Sequence, residues 1–163
     1  MPCKVVIVGG VAGGASAAAR LRRLDEEAEI ILFEKGEHIS FANCGLPYYI
    51  GEVIEDKDDL IVQTPEKMRM RFNIDIRVNS EVTKIFPDKK TIEVHDKVNN
   101  RVYTETYDKL ILSPGAEPVK PDLPGIDSSR VFTLRNIFDT YRMKEFVDKT
   151  KPRRAVVVGA GFI

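Results

Sequence analysis

The sequence is poor in the residues that build disulfide frameworks and metal centres. Its 163 residues include only two cysteines, Cys3 and Cys44, which are too few for a disulfide framework and do not form a Cys-x-x-Cys pair. The two histidines, His38 and His95, lie far apart, and no cysteines cluster near them. This distribution argues against a metal site.

The sequence also lacks a long apolar run and an excess of charge. No apolar stretch reaches the roughly 18 residues of a membrane span, and the N-terminus lacks the pattern of a signal peptide. We therefore predict a cytoplasmic protein with no membrane partner. Lys plus Arg and Asp plus Glu number 25 each, so the charge does not indicate a nucleic-acid partner. A hydrophobic content of 43% and this length predict about one domain with one core.

The N-terminus has the order strand, glycine turn, helix. Lys4–Val8 contains a run of β-branched residues, which is typical of a strand buried on both faces in a parallel sheet. The glycine-rich residues 9–14 follow, and residues 15–24 are strong helix formers. In this order, backbone N–H groups and the positive end of the helix approach the pyrophosphate of a dinucleotide. Residues 9–14 are therefore predicted to bind a nucleotide.

An acidic residue stands where a dinucleotide site needs one. The apolar run 30–33 ends at Glu34, twenty residues after Gly14, and its carboxylate suits a ribose hydroxyl. Val11 replaces the middle glycine of the Gly-x-Gly-x-x-Gly pattern and fits only if its side chain points away from the phosphates. A tight strand-to-helix turn without a ligand is the alternative.

Residues 40–49 place one cysteine in a setting that suits a reactive sulfur. Asn43 precedes Cys44 and a glycine follows it, so large side chains do not enclose the sulfur. If a helix begins at about Asn43, its dipole favours the thiolate, which is the nucleophilic form of cysteine. A buried structural cysteine is the alternative, because free cysteine is among the most buried residue types. Cys3 precedes the first strand, away from the predicted nucleotide site, and is predicted to be inert.

These two motifs together resemble the N-terminal part of the coenzyme A-disulfide reductases, the single-cysteine members of the flavoprotein pyridine nucleotide-disulfide oxidoreductases. The resemblance covers the whole chain. It rests on Val-Gly-Gly-Val-Ala-Gly-Gly (8–14) and Ser-Phe-Ala-Asn-Cys-Gly-Leu-Pro-Tyr (40–48), and it continues through Thr-Pro-Glu-Lys (64–67), residues 107–116 and residues 133–136.

The resemblance implies an enzyme in which NAD(P)H reduces FAD and the flavin passes electrons to Cys44. As a thiolate, Cys44 then attacks coenzyme A disulfide or a related small disulfide or persulfide. Dithiol relatives have a second cysteine where Tyr49 stands, so an internal active-site disulfide cannot form there. The full-length protein is predicted to be a homodimer.

The resemblance, together with the motifs above, also implies the site residues. The predicted cofactor contacts are Gly9, Gly10, Val11, Ala12, Gly13, Gly14, Glu34, Lys35, Ser40, Asn43, Val82, Ser113, Pro114, Gly115 and Arg135. The predicted coenzyme A contacts are Ser16, Arg20, Arg23, Ser40 and Asn43. The two arginines among them suit the phosphates of coenzyme A. For Arg20, Arg22 and Arg23, a solvated helix face is the alternative. The family's lysine after the 64–67 motif is matched by Phe72, with Arg71 adjacent.

Two other functions stay open. One is an NADH oxidase or peroxidase that uses a sulfenic acid of Cys44. Those relatives carry a histidine where Ala12 stands, so Ala12 favours disulfide or persulfide reduction. The other is a flavin-binding redox-sensing or assembly module without turnover.

The middle of the chain predicts a small antiparallel sheet inserted into the α/β unit. Its four predicted strands are 74–78, 81–86, 91–95 and 101–107, with turn signals at Pro87-Asp88 and Asn99-Asn100. Lys109–Leu112 again has the sequence of a buried strand, and residues 113–116 bend the chain at its carboxyl end, where ligands of open sheets bind.

The predicted fold is α/β: a Rossmann-like FAD-binding domain (1–117), a linker and connector helix (118–150), and the start of a second Rossmann-like, NAD(P)-binding domain (151–163). Pro118, Pro121 and Pro124 stiffen the linker. In the last segment, the strand 155–158 leads into Gly159 and Gly161, which are predicted to bind NAD(P). We interpret the chain as an amino-terminal fragment that does not turn over NADH by itself, and we expect residues 155–163 to be covered. Tandem repeats of one small fold are disfavoured, because an apolar strand needs parallel neighbours.

Overall fold

The computed structural model of the chain describes residues 2–159 and divides into two compact units. The first unit contains the residues up to 42 and residues 56–117, and the second contains residues 43–55 and the residues from 118 onward. One boundary therefore falls after Glu117, where the sequence predicts the end of the first domain. Residues 43–55, which the prediction included in that domain, belong to the second unit. The functional assignment of the three predicted domains stays a prediction.

The first unit consists of two sheets and two α-helices, and the second unit contains two further helices. In chain order, the elements are β1 (Lys4–Val8), α1 (Ala12–Leu24), β2 (Glu29–Phe33), α2 (Leu46–Ile50), α3 (Pro65–Phe72), β3 (Asp75–Arg77), β4 (Ser80–Phe86), β5 (Thr91–Asp96), β6 (Arg101–Thr106), β7 (Lys109–Leu112) and α4 (Ile137–Thr150). Strands β3, β2, β1 and β7 form a parallel sheet in that order, and β4, β5 and β6 form an antiparallel sheet. The predicted α/β fold with a small inserted sheet is confirmed.

Strand β1 is covered on both faces, which explains its continuous apolar sequence. Val5 and Ile7 pack in one core cluster with Ala18 of α1. Val6 packs in a second cluster with Ile92 of the antiparallel sheet. Each fully buried aliphatic side chain of this kind contributes about 1.5–3 kcal/mol to the free energy of unfolding. The parallel sheet is therefore held between helices on one side and the antiparallel sheet on the other.

One strand was assigned to the wrong sheet. Residues 74–78 were predicted to join the antiparallel sheet, but β3 pairs with β2 in parallel, and Ile76 lies beside Leu32. An edge strand of a parallel sheet is half-covered and shows the same alternation as an antiparallel strand, so the pattern did not distinguish the two. The predicted strand 109–112 is present, but it also lies at an edge, and Leu112 is therefore 55% exposed.

Arg77 joins the edge of the parallel sheet to the antiparallel sheet. Its Nε and Nη2 donate to Asp75 at 2.9 and 2.7 Å, and its Nη1 donates to Glu105 at 2.8 Å and to the hydroxyl of Tyr103 at 3.2 Å. Burial alone would lower the pKa of Arg77, but these hydrogen bonds raise it above its usual range. The guanidinium also lies 5.3 Å from the ring centroid of Phe33.

The second unit contains the connector helix. The helix predicted at 136–149 is confirmed as α4, and Asn136 caps it by accepting the N–H of Asp139 at 2.9 Å. Between Pro118 and Asn136 the chain forms no helix or strand. The role of this segment as a linker between domains stays a prediction. Within residues 2–159, no helix is long and apolar enough to cross a membrane.

The prediction of a covered terminal strand is wrong. Residues 155–158 form no strand, and Val156, Val157 and Val158 are 87%, 86% and 91% exposed. A strand requires a neighbour for its backbone N–H and C=O groups, and none of the described strands pairs with this segment. Gly159 is exposed with a φ of +96°, whereas Gly161 lies outside the described residues.

Candidate active site

The glycine turn brings the end of β1, the start of α1 and the chain after β7 into close contact. Gly9 has a φ of +95°, and a Cβ added there would lie 2.0 Å from the carbonyl oxygen of Ser113. A Cβ added at Gly14 would lie 1.8 Å from the carbonyl oxygen of Gly9. Real Cβ atoms do not tolerate such distances from backbone atoms, so both positions require glycine. The backbone can make this close approach only because these side chains are absent.

The first turn of α1 offers free backbone donors. Helix α1 begins at Ala12, three residues earlier than the predicted 15–24, and therefore includes Gly13 and Gly14. Val11 stands at its N-cap position without a side-chain hydrogen bond, and the first turn contains no acidic residue. The N–H groups of a first turn have no partner within the helix, and the dipole makes this end attractive to an anion. The turn therefore fits a phosphate group of a nucleotide.

Glu34 is fixed beside this turn. It directly follows β2, the neighbour of β1, and is 9% exposed. Its Oε2 accepts the N–H of Gly10 at 2.8 Å, and its Oε1 accepts the N–H of Gly36 at 2.9 Å. Each carboxylate oxygen has a second lone pair. Glu34 therefore orders the turn and retains acceptor capacity for a hydroxyl group.

The other predicted contacts of the first unit surround the same edge of the sheet. The N–H of Ser113 donates to Val8 at 2.8 Å, and a Cβ on Gly13 would lie 3.2 Å from the Ser113 hydroxyl oxygen. The N–H of Ser40 donates to the carbonyl of Gly10 at 2.9 Å. Lys35 pairs with Glu117, and the exposed residues Pro114 and Gly115 follow Ser113, with a φ of +74° at Gly115. Val82 instead lies in β4 and packs against the core cluster that contains Val6.

The predicted substrate residues of α1 share one exposed face. Ser16, Arg20 and Arg23 stand at positions i, i+4 and i+7, and all three are exposed. Arg22 is different, because its Nε donates to the carbonyl of Phe72 at 2.8 Å and its Nη2 to that of Asn73 at 2.9 Å. Arg22 is therefore a structural link between the ends of α1 and α3.

Sequence reasoning missed the cavity that these two helix ends form. It measures about 430 Å³ and is lined by Arg22, Arg23, Glu26, Met70, Arg71, Phe72 and Asn73. The guanidinium carbons of Arg23 and Arg71 lie 5.5 and 5.2 Å from the ring centroid of Phe72. Both arginines are exposed, and among the ion pairs of the described residues none involves Arg23 or Arg71, so their donors are available to an anion. The sequence signal that could have indicated this cavity is the pair Arg71-Phe72, in which a basic residue stands next to an aromatic one.

In the second unit, Cys44 occupies an exposed helical turn. Asn43–Gly45 forms a 3₁₀ turn that leads into α2, so the condition that a helical segment begins at about Asn43 is met. Cys44 is a free, exposed cysteine, which makes the alternative of a buried structural cysteine wrong. Cys3 is half-buried at the amino end of β1, opposite the end that carries Gly9, and packs against the core.

Arg135 contacts the residue before the cysteine. Its Nη1 donates to Oδ1 of Asn43 at 3.2 Å. The pairing brings together two of the predicted cofactor contacts within one unit. Further along the same segment, Lys144 donates to Asp148 at 2.6 Å and to Glu52 at 2.9 Å. These two hydrogen bonds, first that to Asp148, raise the pKa of Lys144 to about 12.

This fold and these motifs define a class of protein. A sequence model of the family described as "Pyridine nucleotide-disulphide oxidoreductase" matches residues 3–163, and the chain belongs to this family. The chain is 45% identical over 160 residues to a coenzyme A disulfide reductase of Staphylococcus aureus (strain JH9), an alignment that covers 98% of this chain and 36% of the relative. The predicted resemblance is confirmed.

Solved structures agree with this assignment. Reduced Bacillus anthracis CoADR-RHD matches with a TM-score of 0.92 and 60% identity, over 94% of this chain and 28% of that one. A water-forming NADH oxidase from Lactobacillus brevis matches with a TM-score of 0.85 and 33% identity, over 90% of this chain and 32% of that one. The chain thus spans about a third of the length of the relatives that it matches.

Proposed function

We propose that this chain forms the amino-terminal part of an FAD-dependent NAD(P)H oxidoreductase that reduces coenzyme A disulfide or a related small disulfide or persulfide. The observation that carries the proposal is the exposed thiol of Cys44, at the start of a helical segment, in a chain that is 45% identical to a coenzyme A disulfide reductase. In this proposal, Gly159 and Gly161 belong to the NAD(P) site of the full-length protein, which is a homodimer.

The residues of the first unit fit a flavin nucleotide. The uncapped first turn of α1 suits the pyrophosphate of FAD, and Glu34 suits its ribose. Ser40, Lys35 and the residues after Ser113 border the same turn. FAD, when bound, accepts a hydride from NAD(P)H and supplies two electrons for sulfur chemistry. The protein's part is to hold the nucleotide and to provide the thiol.

The role of Glu34 is testable by substitution. Glu34→Ala removes the predicted ribose acceptor and also releases the N–H of Gly10. Because a charge-assisted hydrogen bond contributes about 1.5–3 kcal/mol, the affinity for FAD is expected to fall by roughly ten- to a hundredfold. Titration of the apoprotein with FAD measures this change. Glu37→Ala removes the same charge from an exposed position and serves as the control. Equal FAD affinity in both variants would contradict the assignment.

Cys44 is the proposed nucleophile. Its thiolate attacks one sulfur of the substrate disulfide, so a bond forms between the two sulfurs and one coenzyme A thiolate leaves. Two electrons from NAD(P)H then cleave the mixed disulfide, which releases the second coenzyme A thiolate and restores the thiolate of Cys44. No second cysteine is needed, because the partner sulfur comes from the substrate.

The cavity beside Phe72 fits the phosphorylated end of coenzyme A. Two guanidinium groups, which have no carboxylate partner among residues 2–159, flank an aromatic ring. This arrangement suits phosphates with an adjacent planar base. Arg71 provides a cation next to the position at which the family carries lysine. In this proposal, Ser16 and Arg20 on the same face of α1 border the path of the substrate.

The arginine pair makes a prediction about substrate binding. Arg23→Gln and Arg71→Gln are each expected to raise KM for coenzyme A disulfide about three- to tenfold, since both groups are exposed and partly screened by solvent. The inhibition constant of adenosine 3′,5′-bisphosphate is expected to rise in parallel, because this probe carries the phosphates without the disulfide. Arg130→Gln, which changes an exposed arginine of the linker, is the control. An unchanged inhibition constant in both variants would remove this cavity from the substrate site.

Oxygen or peroxide reduction is the second candidate function. The 33% identity to a water-forming NADH oxidase and the exposed thiol of Cys44 both favour it. In that chemistry Cys44 cycles through a sulfenic acid. Ala12, at the position where the oxidases carry a histidine, favours disulfide reduction instead.

A further inference from the structure

The cavity beside Phe72 lies where two helices end. Helix α1 ends at Leu24 and helix α3 ends at Phe72, and the residues that line the cavity belong to these two ends or directly follow them. The C-terminal end of a helix has carbonyl groups without a partner inside the helix and carries about half a negative elementary charge. Two such ends together amount to about one negative charge. Without compensation, this place would repel a phosphate group.

Arg22 supplies both a compensating charge and hydrogen-bond donors. At the end of α3, its Nε donates to the carbonyl of Phe72 at 2.8 Å and its Nη2 to that of Asn73 at 2.9 Å. At the end of α1, its Nη1 donates to the carbonyl of Glu26 at 2.5 Å and to that of Asp25 at 3.3 Å. One half-buried guanidinium therefore binds carbonyl oxygens of both helix ends.

These hydrogen bonds leave Arg22 little capacity to bind a ligand itself. A guanidinium has five N–H donors, and the four hydrogen bonds to carbonyl groups occupy most of them. Arg23 and Arg71 are exposed instead and lie beside the ring of Phe72. Arg23 follows Arg22 in α1, and Arg71 precedes Phe72, whose carbonyl Arg22 binds. Arg22 therefore sets the relative position of the two backbone segments that carry the available guanidinium groups.

We propose that Arg22 is a positioning residue for the substrate. It fixes the ends of α1 and α3 against each other and neutralises their carbonyl groups, so that the cavity accepts the phosphates of coenzyme A. This inference rests on the proposed function, in which Arg23 and Arg71 bind those phosphates. The effect of Arg22 on substrate affinity passes through these two arginines and through the charge of the helix ends.

Binding of adenosine 3′,5′-bisphosphate to the full-length, flavin-loaded protein tests this role. Isothermal titration calorimetry measures the dissociation constant without turnover, and bound FAD keeps the probe out of the nucleotide site of the first unit. Arg22→Ala is expected to raise the dissociation constant at least about tenfold, because both guanidinium groups lose their positions and the carbonyl groups lose their donors. A parallel rise in Arg23→Gln assigns the measured binding to this cavity.

Arg22→Lys retains the positive charge without the planar fork of donors. An ammonium group has three donors at one point and cannot bind all four carbonyl groups, so the dissociation constant is expected to lie between those of the wild type and Arg22→Ala. In turnover with coenzyme A disulfide, both variants are expected to raise KM and to leave kcat within about twofold of the wild type. The reason is that Arg22 affects the binding of the phosphates and not the reacting sulfur.

A double-mutant cycle measures whether Arg22 acts through Arg71. In the wild-type background, Arg71→Gln is expected to raise the dissociation constant of the probe about three- to tenfold. In Arg22→Ala, the end of α3 is no longer fixed, so the same substitution is expected to raise the dissociation constant by less than about twofold.

Thr64→Ala is the matched control for a general loosening of α3. Thr64 caps the opposite end of this helix by accepting the N–H of Lys67 at 3.3 Å. This variant is expected to lower the thermal midpoint of unfolding, as Arg22→Ala does. Its dissociation constant for the probe is expected to stay within about twofold of the wild type, because the cavity lies at the other end of the helix.

Any of four results would overturn the proposal: no binding of the probe by the wild type, wild-type affinity in either variant of Arg22, equal losses of affinity in Thr64→Ala and Arg22→Ala, or effects of Arg22→Ala and Arg71→Gln that multiply in full. Failure of the proposed function gives a different result. In that case the wild type does not reduce coenzyme A disulfide, although it binds the probe with an affinity that still depends on Arg22.

Discussion

Cys44→Ser in the full-length protein is expected to abolish the reduction of coenzyme A disulfide while flavin binding is retained. A serine hydroxyl is not ionised at neutral pH and cannot form a mixed disulfide, so the rate is expected to fall by at least about a thousandfold. The absorption spectrum reports the bound flavin, and NAD(P)H oxidation in the presence of coenzyme A disulfide reports the activity. Cys3→Ser is the matched control. Cys3 lies at the amino end of β1, opposite the end that leads into Gly9, and it packs against the core.

The oxidised wild type provides an independent result. A coenzyme A adduct on Cys44, detected by mass spectrometry, supports disulfide reduction, whereas a sulfenic acid there supports the oxidase or peroxidase alternative. Full reductase activity in Cys44→Ser would contradict both. Loss of activity in Cys3→Ser with flavin retained would show that the inert role predicted for Cys3 is wrong.

Gly14→Ala is expected to lower the thermal midpoint of flavin release by about 5–10 °C. The added Cβ would lie 1.8 Å from the carbonyl oxygen of Gly9, so either α1 or the glycine turn must move. Overpacking of this kind costs about 2–3 kcal/mol, and in a domain of this size each kcal/mol lowers the midpoint by about 2–4 °C. Flavin fluorescence during heating of the full-length protein measures the change.

The adjacent glycine provides the control. A Cβ on Gly13 meets only the side chain of Ser113, with the hydroxyl oxygen at 3.2 Å and the Cβ at 3.4 Å. The 3.4 Å distance is an ordinary van der Waals contact, and the hydroxyl can rotate away. Alanine also has a higher helix propensity than glycine by about 0.8–1 kcal/mol. Gly13→Ala is therefore expected to change the midpoint by less than about 3 °C. Equal losses in the two variants would mean that the close approach between Gly9 and Gly14 does not determine the stability of the turn.

The parts of the structure that depend on residues adjacent in the chain were predictable from the sequence. The order of β1, the glycine turn and α1 is encoded within residues 4–24, and the turn requires glycine because of its own backbone geometry. Glu34 was found by its spacing, although its hydrogen bond to Gly10 was not foreseen. Local patterns therefore predicted the glycine turn and the acidic residue beside it, whereas their binding of a nucleotide stays a prediction.

The parts that depend on distant residues were not predictable in this way. The alternation in residues 74–78 fits an edge strand in either type of sheet, and only the pairing with β2 decides between them. The apolar residues 155–158 have the sequence of a strand, but a strand also needs neighbours. The cavity between Arg23 and Arg71 and the contact between Arg135 and Asn43 join residues far apart in the chain, which no local pattern specifies.

Asn43 and Arg135, which contact each other, lie 92 positions apart, and this separation has a consequence for synthesis. At about 5–20 residues per second, roughly 5–20 s pass between translation of Asn43 and translation of Arg135. During that interval the nascent chain exposes a free thiol at Cys44 before α4 exists. An oxidant that reaches this sulfur during the interval would modify it before residues 43–52 can contact Arg135, Tyr141 and Lys144.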